Sequence, residues 1–87
     1  MREVIHKELK EYLRKYIKET RKSMKLSQEK MAERLIMDAR SYADIENGTN
    51  MCGTITFIYF LLYVVDDLES VFEGVAMVIE HAKESVA

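Results

Sequence analysis

A chain of 87 residues that is 48% apolar and 32% charged makes one small domain, with a core just large enough to fold unaided, and is not a disordered segment. The formal net charge of −2 excludes a generally basic nucleic-acid binder, and the single cysteine, Cys52, excludes an internal disulfide framework and fits a reducing cytosol. With no proline and only three glycines in a sequence rich in Glu, Lys, Leu, Met and Ala, the expected class is all-α.

The average charge conceals an asymmetry. Residues 1–50 carry twelve of the thirteen Lys+Arg against nine acids, a net of +3, whereas residues 51–87 carry Lys83 against six acids, a net of −5. One half is therefore suited to phosphates and the other is not.

The N-terminal MREVIHKELKEY is charged and lacks the apolar core of a signal peptide. Over residues 3–24, Ile5, Leu9, Tyr12, Leu13, Tyr16, Ile17, Thr20 and Met24 recur at spacings of three and four, which predicts a long first helix with Lys and Glu on its other face. Glu3 with Lys7 and Glu11 with Lys15 stand at i,i+4 in the favourable order. His6 reads as a solvated surface side chain, because no second ligand accompanies it.

Lys25-Leu26-Ser27 breaks this helix. Ser27 is the N-cap expected for a short helix from Gln28 to Leu35, whose cap is half made because Lys30 replaces the Glu or Gln of a capping box. Ile36, Met37 and Asp38 form a tight turn, and Asp38 caps a second short helix from Ala39 to Glu46, with Tyr42 and Ile45 facing the core. Asn47-Gly48 ends it, with Gly48 suited to a left-handed position. Two short helices joined by so tight a turn are how a helix-turn-helix places its second helix in a DNA groove.

After a polar loop over residues 49–53, Thr54 is expected to cap a fourth helix reaching about Val65. That run is apolar nearly all round, so the expectation is the most buried helix of the fold. It is too short to span a bilayer. Its β-branched and aromatic content makes a strand the rival, and the helical setting on both sides, with no second strand to pair with, decides for helix. Asp66-Asp67 opens the last helix, residues 67–85, whose wide stripe of Leu68, Val71, Phe72, Val75, Val78, Ile79 and Ala82 either completes the core or offers surface to a second copy. Glu80, His81 and Glu84 do not share one face and make no metal site. No nucleophile–base, paired-carboxylate or metal-ligand arrangement is visible, so neither an enzyme nor a cofactor is expected.

The residues Leu26-Ser27-Gln28-Glu29, Met31-Ala32, Leu35, Ser41-Tyr42 and Ile45-Glu46-Asn47-Gly48, with Arg21 seven positions before Gln28, resemble the phage-repressor and Cro-like (XRE-like) helix-turn-helix family over about residues 15–65. The resemblance implies a five-helix, lambda-repressor-like domain over residues 1–87, with the motif at 28–46 and a C-terminal amphipathic helix available for dimerisation. It also implies a sequence-specific regulator of transcription, a repressor, that binds double-stranded DNA as a homodimer in the cytoplasm. The same fold with a protein partner instead of DNA, as in an antitoxin or anti-repressor complex, is the alternative. By resemblance Gln28 anchors a phosphate, and Ala39, Arg40, Ser41 and Asp44 point at bases. Arg40 is the main reader, because its fork matches guanine O6 and N7. Asn47, Thr49 and Asn50 hold the backbone, while Lys30 and Arg34 are either phosphate contacts or plain surface. Arg21 and Glu46 correspond to the family's structural ion pair. Three residues depart from the pattern. Ile36 stands where the turn usually has glycine, so a helical or slightly altered turn is expected; Cys52 stands where proline is common; and Asp44 puts an acid on the reading face.

Overall fold

The structure, a computed structural model, describes residues 1–49 and 53–86. Five helices follow in order: α1 (Arg2–Ser23), α2 (Gln28–Arg34), α3 (Ala39–Glu46), α4 (Thr54–Tyr63) and α5 (Leu68–Val86). The described residues contain no strand, and the β-branched run after Gly53 is helical. Isolated from any second strand, that run satisfies its backbone groups only by coiling on itself.

The helix starts follow local chemistry. Ser27 accepts a hydrogen bond from the Lys30 backbone N–H at 3.1 Å, Asp38 from that of Ser41 at 2.9 Å, and Asp67 from that of Ser70 at 3.2 Å. Each supplies an oxygen to an otherwise orphaned first-turn donor. At α4 the expectation shifts by one residue: Gly53 is the cap position and Thr54 already lies in the helix.

The first three helices end in one hydrogen-bond pattern. After α1, Leu26 N–H reaches Arg21 O at 3.2 Å and Lys25 N–H reaches Lys22 O at 3.0 Å. After α2, Met37 N–H reaches Ala32 O at 3.0 Å and Ile36 N–H reaches Glu33 O at 3.1 Å. After α3, Thr49 N–H reaches Asp44 O at 2.9 Å and Gly48 N–H reaches Ile45 O at 3.2 Å. This paired capping requires a left-handed residue after the cap. Lys25 (φ 58°), Ile36 (φ 56°) and Gly48 (φ 79°) take that position. Glycine thus serves one of these three turns, and the other two are made against side-chain preference.

The core gathers Ile17 of α1, Met31 and Ala32 of α2 with Leu35 beyond it, Tyr42 and Ile45 of α3, and Phe60 of α4 with Val64. Tyr16 meets Phe60 edge-on, with ring centroids 6.1 Å apart, which ties α1 to α4. The expectation that α4 would be the most buried helix is corrected. Among its described side chains only Phe60 is buried, while Ile55 (64%), Leu62 (66%) and Tyr63 (59%) stand in solvent. A helix at the edge of a small domain has one face to bury, and apolar residues all round it leave the remainder exposed.

Helix α5 lies along α1. It buries Val71 and Ala82 and leaves Leu68 and Phe72 exposed, so its wide stripe is divided between the core and the surface. The approach of the two helices is close at Gly74: a Cβ there would sit 2.8 Å from Cζ of Tyr12 and closer still to its hydroxyl. The bare backbone of α5 makes room for the ring. Gly74→Ala and Tyr12→Ala should therefore couple in a double-mutant cycle by about 1–3 kcal/mol. Alanine at 74 is expected to be destabilising beside Tyr12 and to add about 1 kcal/mol, from helix propensity, once the ring is gone. Additive urea-unfolding energies would contradict this account of the contact.

Candidate nucleic-acid interface

Helix α3 leaves α2 through a short turn, residues 36–38. Ile36 is 67% exposed and left-handed, so of the two expected alternatives, a helical or a slightly altered turn, the helical one is corrected: the backbone takes the conformation that suits glycine, with an isoleucine in place. For a β-branched residue that conformation is an outlier. It persists because the hydrogen bonds to Ala32 O and Glu33 O and the half-buried Met37 hold the turn from both sides.

Behind the turn lies a polar network centred on Glu46, which is only 2% exposed. Arg21 of α1 reaches it with two nitrogens, Nε to Oε2 at 2.6 Å and Nη2 to Oε1 at 3.1 Å, and gives its third group, Nη1, to Leu26 O at 2.9 Å. Gln28 of α2 donates Nε2 to Glu46 Oε1 at 3.1 Å, and the buried Tyr42 hydroxyl donates to Oε2. Burial pushes the Glu46 carboxyl up, but the hydrogen bonds from Arg21, Tyr42 and Gln28 outweigh it and hold the group below its ordinary value of 4.5. Burial, followed by the bond to Glu46, drives the Tyr42 phenol strongly upward, so it remains a donor. Among the described residues no buried side-chain polar atom lacks a partner.

One contributor was not anticipated. Arg14 donates Nη1 to Glu46 O at 3.0 Å, placing a cation on the C-terminal carbonyls of α3 while Glu11 holds its other nitrogens. Its signal in the sequence was its position seven residues before Arg21, on the same face of α1. The Tyr42–Glu46 bond was also missed, although i,i+4 spacing on α3 permits it.

With Tyr42, Ile45 and Glu46 turned inward, α3 presents the opposite face. Arg40 is exposed, with Ala39, Ser41 and Asp44 half-buried around it and Asn47 and Thr49 exposed beyond the end of the helix. Ser41 is less available than its position suggests, since its hydroxyl donates to Asp38 Oδ1 at 2.7 Å within the cap. That bond, followed by the one from the Ser41 backbone N–H, holds the Asp38 carboxyl below its ordinary range. Gln28, expected as a phosphate anchor, has one amide N–H engaged by Glu46 and a second left for another acceptor. Lys30 lies 3.6 Å from Glu33, both exposed, and Arg34 is exposed in the last turn of α2. Asn50, the remaining expected contact, lies outside the described residues. Among the described residues no group of three or more His, Cys, Asp or Glu side chains is placed to hold a metal, and no helix is long and apolar enough to cross a membrane.

Residues 15–75, which include all of α2, α3 and α4, match the family model of a helix-turn-helix domain. Comparison with curated proteins and with solved structures gives no significant match.

Two stability measurements follow from this geometry. Glu46→Gln leaves Arg21 without its counter-charge and should cost about 3–5 kcal/mol in urea unfolding at neutral pH. Because the folded Glu46 pKa is depressed, its contribution is complete above 4.5 and is lost as pH falls through the lower, folded value; wild type should therefore weaken below pH 4.5 more steeply than the variant. Ile36→Gly should stabilise by about 0.5–1 kcal/mol. It removes roughly 1–2 kcal/mol of left-handed strain and gives back part of that through unfolded-chain entropy. A lower melting temperature for Ile36→Gly would show that the isoleucine is held by packing rather than tolerated.

Proposed function

Since the chain belongs to the helix-turn-helix domain family, of the phage-repressor (XRE-like) type, we propose that it is a sequence-specific DNA-binding regulator of transcription, a repressor, that reads the major groove with α3. The observation carrying this reading is the exposed Arg40 in the first turn of α3, on a helix whose opposite face is anchored to α1 and α2 through Glu46. A reading side chain needs a rigid base, because base edges are recognised by bidentate geometry. Arg40 takes guanine O6 and N7, Asp44 a cytosine amino group or the orientation of Arg40, and Ala39 a thymine methyl. Gln28, Asn47, Thr49 and Asn50, with Lys30 and Arg34, supply backbone contacts that fix register without reading sequence.

In this reading the protein works in the cytoplasm as a homodimer on a palindromic operator, since two-fold related copies place their recognition helices about one helical turn apart. Ile55, Leu62 and Tyr63 of α4 and Phe72 and Met77 of α5 supply exposed apolar surface for a second copy. A protein partner of this face in place of DNA, as for an antitoxin, is the second reading. It is favoured by the same exposed side chains and by the acidic excess of residues 51–87.

Selection from a random duplex pool tests the proposal directly, and recovered sites should contain two symmetric halves. Affinity for the selected duplex should fall steeply as salt rises. Arg40→Ala should cost about 1–3 kcal/mol and relax preference at one guanine in each half. Binding that is flat with salt and indifferent to Arg40→Ala would overturn the reading, and a stoichiometric protein complex with no duplex affinity at low salt would favour the second. Light scattering should give the mass of a dimer that Leu62→Glu with Phe72→Glu dissociates.

A further inference from the structure

Beyond the motif, α1 carries a stripe of cations. Lys7, Lys10, Arg14, Lys18 and Lys22 succeed one another at spacings of three, four, four and four, so they lie along one side of the helix. At its N-terminal end the stripe forms one wall of an open groove of about 440 Å³. Lys7, Lys10 and Arg14 line that wall, Gly48 and Thr49 the other, and Ile17 and Ile45 are the buried apolar residues beneath. We propose that Lys7 and Lys10 form a second DNA-backbone contact, which extends the footprint of α3 along the phosphates at the rim of the major groove. The proposal rests on the reading of α3 as the helix that enters the groove.

The geometry supplies the reach. Helix α3 has eight residues and is about 12 Å long, more than the depth of the major groove from rim to base edges, roughly 8.5 Å. With Arg40 of its first turn on a base edge, its last turn stands level with the rim, where the phosphates run. The hydrogen bond from Arg14 to Glu46 O fixes the stripe beside that last turn. Lys7 and Lys10 are exposed, and among the described residues neither is in an ion pair, so each has a full charge to give a phosphate. The acids in the groove are Glu11, held by Arg14, and Glu3. The apolar floor offers nothing to a small anion, so the ligand chemistry is that of a polyanion lying across the walls. Phosphodiesters spaced along a strand meet that description.

The test measures the anisotropy of a labelled mixed-sequence duplex of about two helical turns over a range of salt. Lys7→Gln with Lys10→Gln should make the slope of log K against log salt shallower by about 1.8, near 0.9 for each phosphate released. The loss should be equal on every duplex sequence, and the melting temperature should stay unchanged because both side chains are exposed. Lys83→Gln, which removes a positive charge from α5, should leave the slope as it is. An unchanged slope in the double variant overturns the α1 contact while leaving the reading of α3 intact. A slope that changes as much per charge for Lys83→Gln makes the effect one of net charge and also overturns it. A wild-type chain that binds no duplex at low salt overturns both.

Discussion

The fold depends on where one carboxylate finds its donors. Glu46 ends α3, yet its side chain is held by Arg21 from α1, Gln28 from α2 and Tyr42 from its own helix, and its carbonyl by Arg14. A charge so deeply buried is costly unless its lone pairs are filled, and four donated bonds fill them. Apolar contact between short helices tolerates sliding and rotation. A bidentate guanidinium and an amide on the same two oxygens do not. The angle between α2 and α3, and the outward direction of Arg40, therefore rest on directional bonds, with Met31, Ala32 and Ile45 filling the space around them.

The turns are subordinate to that geometry. Each of the first three helices closes with the same pair of backbone hydrogen bonds, although only Gly48 suits the left-handed position chemically. At Lys25 and Ile36 tertiary demand overrides residue preference, since α2 must leave α1, and α3 must leave α2, within a few residues for Gln28 and Glu46 to meet. Strain of this kind persists where the surroundings over-determine the conformation.

Much of this was legible in the sequence for physical reasons that can be named. Ser27 and Asp38 marked helix starts because a short side-chain oxygen beside an apolar period has one obvious use, and both accept the expected bonds. Tyr42 and Ile45 followed from helical spacing. Other features required three dimensions. The left-handed Ile36 is set by contacts its own side chain does not make. The role of Arg14 depends on a carbonyl more than thirty residues away. The exposure of α4 could not be read from an apolar run, because composition states what a helix would bury and not how much neighbouring surface exists to bury it against. On α3 the inward and outward faces were readable, but the engagement of Ser41 by Asp38, which reduces its freedom to donate to a base, was not.

The seating of Tyr12 on Gly74 joins the first helix to the last, and this bears on the order in which the molecule is made. At synthesis rates of roughly 5–20 residues per second, position 74 follows position 12 by on the order of 3–12 s, far longer than a helix takes to form. Through that interval α1 has no α5 to lie against, and the ring of Tyr12 stays without its seat at Gly74 on the emerging chain. The motif can assemble its polar centre meanwhile, because Arg21, Gln28, Tyr42 and Glu46 all precede α4. Closure comes late and from the far end, so the helix made first is the last to be fully enclosed.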